Sequence, residues 1–210
     1  MAAGRPRNFD LDKALDNALL VFLEKGYEGA YLGDLTRAMG INPPSLYAAF
    51  GSKEGLFRQV LERYVRARDA RLSLVLAAPT AREAIEQLLL GSVMGQTRED
   101  RAHGCILVHG ALACADQAEP IRAELGRCRM AGQLALAKRL ARASSSGELP
   151  EGSDPDALAG YVYAVLHGMS VQAAGGASRA QLLKTVALTM NTWKSMTRKP
   201  GRRTRAAAES

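Results

Sequence analysis

The sequence has little of what a disulfide-built, secreted or membrane-spanning protein needs. Its 210 residues include only Cys105, Cys114 and Cys128, with no CxxC spacing. A disulfide framework and a structural zinc site are therefore poorly supported. No run approaches the roughly 20 apolar residues that span a bilayer, and the N-terminus has no apolar segment after its charges. We expect a cytoplasmic protein without membrane contact.

Alternation of apolar and polar residues, the pattern of half-buried strands, is also missing. Almost every segment instead repeats its apolar residues with the 3.6-residue period of a helix. Hydrophobic residues make up 47% of the chain, a globular composition that excludes a largely disordered protein. We therefore predict an all-α fold.

The apolar period predicts a small N-terminal group of helices followed by a larger bundle. The first group has a helix ending at Gly26, a short helix ending at Gly40 and a third helix in the segment PPSLYAAF. A start at Ser52 opens a long helix to about Ala77, after which Pro79 breaks the chain. The larger group is predicted at about 81–97, 104–115, 118–145, 155–175 and 179–196.

Positive charge is concentrated at the two ends of the chain. The formal net charge is +7, and the tail from Ser195 onward carries five basic residues and one acidic residue. Arg5 and Arg7 add two positive charges at the other end, so the body between them is nearly neutral. Such tails suit a polyanionic partner, or they serve only as solubilising ends.

The stretch GINPPSLYAAF, residues 40–50, has the spacing of a helix-turn-helix, in which the second helix lies in the DNA major groove. Asn42 can cap that helix, and prolines are tolerated in its first turn because the N–H groups there have no intrahelical partner. Leu46 and Phe50 are four residues apart and are predicted to face the core. The DNA side is then left to Ser45, Tyr47 and Ala48.

Residues 9–57 resemble the TetR family of bacterial transcriptional repressors. The segments FLEKGYEGA, DLTRAMGI and SLYAAFGSKEGLF carry the resemblance. It implies a three-helix DNA-binding head on a divergent helical domain for ligand binding and dimerisation. It also implies that Tyr47 and Lys53 contact phosphates and that the start of the third helix reads bases.

Two departures from the family pattern affect the expected DNA contacts. Position 31 is Tyr, where the family often has a capping Ser or Thr. Pro43 and Pro44 replace the Lys and Gly of many members, so other residues are expected to compensate. The predicted DNA-binding residues are Arg5, Arg7, Thr36, Arg37, Asn42, Pro43, Pro44, Ser45, Tyr47, Ala48 and Lys53.

The helix-turn-helix motif and the predicted helices together divide the chain into four predicted parts. Residues 1–8 form a basic flexible arm and residues 9–53 a helix-turn-helix head. Residues 54–196 hold the connecting helix and the effector-binding and dimerisation bundle, and residues 197–210 form a basic disordered tail. Asp154 is the predicted N-cap of the helix that begins at Pro155.

The last two predicted helices are the candidate dimer interface, because dimers with this motif bind two half-sites. They carry more apolar surface than one side of a helix needs, and small residues allow a partner helix to approach closely. A four-helix interface between two subunits would bury this surface, and the family resemblance implies the same arrangement. The alternative is that both helices form the core of a monomer. The predicted interface residues are Tyr161, Val165, Met169, Leu183, Val186 and Met190.

The segment HGCILVH, residues 103–109, is the candidate effector site. On a helix, Cys105 and His109 lie on one face, and a thiol near a helix N-terminus is more nucleophilic. The pair suits an electrophile or oxidant sensor or a soft metal, whereas the alternative is a small buried hydrophobe. Met94 and Met130 could line the pocket or pack in the core. No cofactor motif is present, and none is expected to bind.

We therefore predict a homodimeric repressor that binds a palindromic double-stranded DNA operator and is released by a small-molecule effector. The first rival is a helical enzyme that uses Cys105 with His103 or His109, although no third orienting carboxylate lies nearby in the sequence. The second rival is an RNA-binding or chaperone-like module that uses the basic tails.

Overall fold

A computed structural model of the protein describes residues 9–98, 104–112 and 119–197, with the backbone alone for 110–112. These residues contain helices and no strand, which confirms the predicted all-α fold. Within this part of the chain, no helix has the length and apolarity needed to cross a membrane. The helices are α1 (Leu11–Gly29), α2 (Leu32–Met39), α3 (Pro43–Phe50), α4 (Lys53–Leu76), α5 (Ala81–Gln96), α6 (Ile106–Leu112), α7 (Glu119–Ser145), α8 (Pro155–Ala174) and α9 (Arg179–Met196).

Side-chain caps fix several helix starts. The Asp10 carboxylate accepts from the backbone N–H of Lys13 at 3.1 Å and caps α1. The Asp154 carboxylate accepts two backbone N–H groups at 3.0 Å, and Pro155 is the first residue of α8, as predicted. Each cap satisfies donors that would otherwise have no partner at a helix start, so the sequence sets these boundaries locally.

The helix α1 is interrupted at Gly26, where the sequence predicts its end. Gly26 has φ 69 and ψ 179, a conformation that L side chains rarely adopt, and the chain continues as a short helical piece to Gly29. The kink brings Tyr27 next to Phe57 of α4, with 5.0 Å between the two ring centroids. Phe22 also meets Phe57 edge to face, at 4.9 Å between centroids.

These rings belong to a first core cluster, which we call the head core. It is built mainly by α1, α2, α3 and the first half of α4, through Leu61. It also includes residues 105–108 and, from α7, Ile121 and Leu125. The boundary predicted between residues 53 and 54 therefore crosses one continuous hydrophobic cluster, because the head completes its core with side chains from the body.

A second cluster, the body core, joins α5, α7, α8 and α9 around the buried Trp193. At its edge, the Arg139 guanidinium lies 3.4 Å from the Glu148 carboxylate and donates to the carbonyl of Ala78 at 3.3 Å. These bonds tie α7 and the loop after it to the junction of α4 and α5. The helix α4 starts in the head core, and Leu76 in its last turn packs against the body core.

Candidate functional site

The turn between α2 and α3 has a geometry set by two residues. Gly40 ends α2 in the left-handed region, at φ 67 and ψ 30, and the N–H of Ile41 donates to the carbonyl of Thr36 at 3.0 Å. Asn42 then caps α3, its side-chain oxygen accepting from the N–H of Ser45 at 2.9 Å. The cap predicted at Asn42 is confirmed.

The helix α3 divides into a buried face and an outward face. Leu46 and Phe50 are buried in the head core, as the sequence predicts. Pro43, Pro44, Tyr47 and Ala48 are exposed, and Ser45 is half-buried. Tyr47 keeps 48% of its surface exposed. The outward face therefore presents a phenol, a hydroxyl and small side chains beside a proline-initiated first turn.

A close backbone approach fixes α3 against α4. A Cβ added at Gly55 would lie 2.1 Å from the carbonyl oxygen of Phe50, a distance that real Cβ atoms do not reach. The Ser52 hydroxyl accepts from the N–H of Gly55 at 2.9 Å and caps α4 at the same place. Gly55 therefore sets the packing of α3 against α4, and the sequence analysis did not predict this role. Its place in the first turn of a long helix is the available signal, because glycine is unfavourable inside helices.

Thr36 is not available for the predicted DNA contact. Its side chain is buried, and its hydroxyl donates to the carbonyl of Leu32 at 2.9 Å within α2. A hydroxyl in a helix can bond back to the preceding turn, and here this removes it from the surface. Arg37 lies on the outside of α2 with 83% of its side chain exposed, 3.8 Å from the Asp34 carboxylate.

Lys53 already has partners inside the head. Its ammonium donates to the carbonyl of Glu28 at 3.1 Å and lies 4.7 Å from the centre of the Tyr27 ring. Burial lowers the pKa of Lys53 from its ordinary value, and the charge of Glu28 opposes this shift. Lys53 therefore joins the start of α4 to the kinked end of α1. Its predicted phosphate contact stays a prediction.

Two further sequence expectations concern the edges of the head. Tyr31 is the N-cap residue of α2 and makes no side-chain capping bond, and 73% of its surface is exposed. Arg5 and Arg7 lie outside the described residues.

In the body, Cys105 directly precedes α6 and is buried. Its carbonyl accepts from the N–H of His109 at 3.0 Å, which places the thiol at the helix start as predicted. The hydroxyl of Tyr64 lies 3.2 Å from its sulfur. Burial, with the neighbouring Cys105, raises the pKa of Tyr64 well above its ordinary value. Tyr64 lies on α4, so the thiol touches the helix that runs to the head.

The His109 ring is turned away from this contact. Its Nε2 lies 3.3 Å from the carbonyl oxygen of Ser170 on α8, and the ring packs against Gly104. Cys105 and His109 therefore contact different neighbours, although they are four residues apart. Among the described residues there is no group of three or more His, Cys, Asp or Glu side chains that could hold a metal ion.

The two methionines predicted in the effector pocket lie on the surface of the chain. Met94 is 43% exposed on α5, and Met130 is 60% exposed on α7. Each helix turns its other face to the core, through Leu89 and Val93 in α5 and through Leu136 in α7. Neither methionine is packed in a core of the described residues, and their predicted place in the effector pocket stays a prediction.

Half of the predicted dimer residues are buried within one chain. Met169, Val186 and Met190 lie in the body core and have almost no surface left for a partner, so this part of the prediction is wrong. Tyr161, Val165 and Leu183 are half-buried and pack against the same core. Seven exposed apolar or small residues of the two helices define what we call the α8–α9 surface: Ala157, Ala164, Gly168, Val171, Ala180, Ala187 and Leu188.

Known proteins match both parts of this architecture. The sequence profile described as "Bacterial regulatory proteins, tetR family" matches residues 14–60, which hold α2, α3 and most of the head core. The profile described as "Tetracyclin repressor-like, C-terminal domain" matches residues 81–186, about half of the chain. The HTH-type transcriptional repressor ComR of Escherichia coli (strain K12) is 32% identical over 192 residues, covering 90% of this chain and 91% of ComR.

The chain belongs to the TetR family of bacterial transcriptional regulators. A second TetR-family relative, the HTH-type transcriptional repressor BdcR of the same strain, is 30% identical and covers 88% of this chain and 89% of BdcR. Among solved structures, a cysteine mutant of the TetR family transcriptional regulator CifR, complexed with 26bp double-strand operator DNA, is 42% identical. It covers 90% of this chain and 100% of the CifR chain, with a TM-score of 0.85.

Proposed function

We propose that this TetR-family regulator is a homodimeric, cytoplasmic repressor and not an enzyme. In this proposal, two copies of α3 bind a palindromic double-stranded DNA operator, and a small molecule bound in the body releases them. The observation that carries the proposal is the outward face of α3, which is capped by Asn42 and held against α4 at Gly55. The likeness to CifR, whose solved structure is complexed with operator DNA, supports the same use of that face.

The outward face of α3 has the chemistry of a groove-binding helix. Small residues such as Ala48 let the backbone approach base edges, and the Tyr47 hydroxyl can donate to a phosphate oxygen. The exposed Arg37 adds a charge on the neighbouring helix. We assign base contacts to the first turn of α3, and phosphate contacts to Tyr47 and Arg37.

The α8–α9 surface supports the homodimer. On α9, Leu188 is 67% exposed, and on α8, Val171 is exposed between small side chains. A second copy that packs its own α8 and α9 on this surface would bury these side chains in an isologous four-helix contact. The same contact would hold two recognition helices at a fixed spacing, as paired half-sites require.

Release by an effector requires that the ligand prefer a conformation with the recognition helices wrongly spaced. The contacts of α4 suit it to transmit such a change. Arg63 of α4 pairs with Asp16 of α1 at 3.1 Å, and Arg58 of α4 pairs with Glu124 of α7 at 3.3 Å. A shift of α4 against the body would therefore move the head as well.

A gel-shift with the protein's own upstream DNA tests this function. We expect saturable binding to a near-palindrome that survives an excess of competitor DNA, with two chains bound per site. Equal affinity for random and upstream fragments at moderate ionic strength would contradict the proposal, because charge alone would then explain binding.

A second candidate makes the same regulator thiol-responsive, with Cys105 as the reacting group. The contact between Cys105 and Tyr64 favours it, because a modified sulfur would displace a side chain of α4. The rival enzyme that uses Cys105 and His109 is not favoured, since the His109 ring faces Ser170 and not the thiol.

N-ethylmaleimide tests the thiol candidate. The sulfur bonds to one alkene carbon and the thiol proton ends on the other, so no oxidant is needed. We expect the reagent to release wild-type protein and the Cys128→Ser control from DNA, and to leave Cys105→Ser bound. Release of Cys105→Ser by the same treatment would reject the role of Cys105.

A further inference from the structure

Two buried polar atoms in the body have no hydrogen-bond partner within the described residues: the side-chain oxygens Oε1 of Gln96 and Oγ of Ser170. Gln96 is the last residue of α5 and is 7% exposed, and Ser170 lies in α8 and is 0% exposed. A buried polar group without a partner loses its hydration and gains nothing in return. Each of these atoms therefore needs an explanation.

Both residues hold the same short segment, residues 104–109. The carbonyl of Gln96 accepts from the N–H of Gly104 at 3.4 Å. The carbonyl of Ser170 lies 3.3 Å from Nε2 of His109. The backbones of Gln96 and Ser170 are thus in contact with the two ends of one segment, although the two residues come from different helices.

The geometry of Gly104 shows which face of α8 meets this segment. A Cβ added at Gly104 would lie 2.4 Å from the His109 ring and 3.4 Å from the Ala174 side chain, so the contact leaves no room for a larger residue. Ser170 is four residues before Ala174 and lies on the same face of α8. The Ser170 hydroxyl is therefore on the side of α8 that packs against residues 104–109.

We propose that Gln96 and Ser170 form the polar wall of the effector site beside residues 104–109, and that the effector is a small uncharged molecule with a hydrogen-bond donor. The Gln96 amide nitrogen donates to the Ser92 hydroxyl at 2.8 Å, which leaves the amide oxygen as an acceptor in need of a donor. The Ser170 hydroxyl can donate or accept. Two guanidinium groups contact this region, but each already donates to a backbone carbonyl, Arg129 to that of Leu107 and Arg179 to that of Thr97. Gln96 and Ser170 are themselves neutral and stabilise a buried charge poorly, so the effector is uncharged.

This site would connect the ligand to the head. Residues 105–108 belong to the head core, while Gln96 and Ser170 are on helices of the body. A ligand that pairs with both side chains would act on a segment packed against the DNA-binding unit. The inference rests on the proposed effector-controlled function and names the polar contacts and the chemical class of that effector.

The first test uses the ligand-free protein. Ser170→Ala removes a hydroxyl that has no partner, so we expect the Tm to rise by about 2–4 °C. Alanine is also a better helix former than serine, which raises the Tm by itself. The control Ser73→Ala, at an exposed position of α4, measures this contribution of helix propensity alone. A Tm for Ser170→Ala below that of Ser73→Ala would overturn the inference, because the hydroxyl would then have a stabilising partner.

The second test uses four ring compounds of similar size: benzamide, benzyl alcohol, toluene and benzoate. We expect millimolar benzamide and benzyl alcohol to raise the Tm of wild-type protein by binding the native state. The rise should fall by at least about half in Ser170→Ala, and toluene and benzoate should have little effect. Equal shifts with toluene or benzoate, equal shifts in the variant, or no shift with any compound would each overturn the inference.

Operator binding is measured separately, without any probe, in the gel-shift described above. Loss of operator specificity would contradict the proposed function and leave the Tm results standing. Intact operator binding with the contrary Tm results would overturn only the effector site.

Discussion

The head and the body of this regulator satisfy their polar groups differently. In the head, Asn42 and Ser52 cap consecutive helices, the Thr36 hydroxyl bonds within its own helix, and Lys53 donates to a carbonyl. By contrast, the two buried side-chain oxygens that lack a hydrogen-bond partner within the described residues both lie in the body. The hydrogen bonds of these head side chains favour one shape for DNA binding, whereas the two unpaired groups in the body suit a second, ligand-bound state.

The largest loss of operator affinity should come from a variant that separates the two copies and leaves both heads intact. Leu188→Glu places a carboxylate on the α8–α9 surface, where pairing would bury it without a partner. We expect a monomer by light scattering and at least about a 100-fold loss of operator affinity, because only one half-site can then be held.

Leu74→Glu is the matched control for that variant, since Leu74 is an exposed leucine on α4, 76% exposed. It should stay dimeric and bind the operator like the wild type. A dimeric Leu188→Glu variant would place the dimer interface outside the α8–α9 surface and contradict the role of the body in pairing.

The second-largest loss of operator affinity should come from a change in the packing of the head. Gly55→Ala forces a methyl group against the Phe50 carbonyl and should destabilise the head by about 1–3 kcal/mol. We expect operator affinity to fall about tenfold as α3 shifts, while the protein stays dimeric. Denaturant unfolding followed by circular dichroism measures the loss of stability.

Gly91→Ala provides the control in the body, because a Cβ at Gly91 meets no atom within 4 Å. Its stability should stay unchanged or rise by up to about 1 kcal/mol, as for other glycines in helices. Similar losses in the two variants would mean that the close approach at Gly55 has no special role in positioning α3.

The smallest effect should come from a single surface charge. Arg37→Gln should weaken binding several-fold on every DNA sequence and lower the slope of log affinity against log salt by about 0.9, since one phosphate contact is lost. Arg66→Gln on α4, also highly exposed, should leave the slope unchanged. An unchanged slope for Arg37→Gln would remove α2 from the DNA interface.

The local features of this fold could be predicted from the sequence. The cap at Asn42, the prolines that begin α3 and the buried pair Leu46 and Phe50 follow from short-range rules of helix starts and helical period. The end of α2 at Gly40 and the start of α8 at Pro155 could be predicted from the same short-range rules. These signals are complete within a few residues of chain, so no tertiary contact is needed to read them.

Features that depend on distant contacts could not be predicted. An apolar stripe does not tell whether its cover comes from the same chain or from a second one, and so Met169 and Met190 were assigned to a partner although their own chain buries them. Similarly, the bond from the Lys53 ammonium to the Glu28 carbonyl and the lack of a partner for the Ser170 hydroxyl depend on which helices meet. Sequence periodicity contains no such information.

We propose that two copies of α3, held apart by one dimer contact, bind two successive half-sites. Footprinting of the purified protein on its own upstream DNA, with light scattering of the complex, tests it most directly. We predict two protected half-sites about 10–10.5 base pairs apart, or a multiple of that, with an even number of chains bound. A single protected patch occupied by one chain would contradict the account.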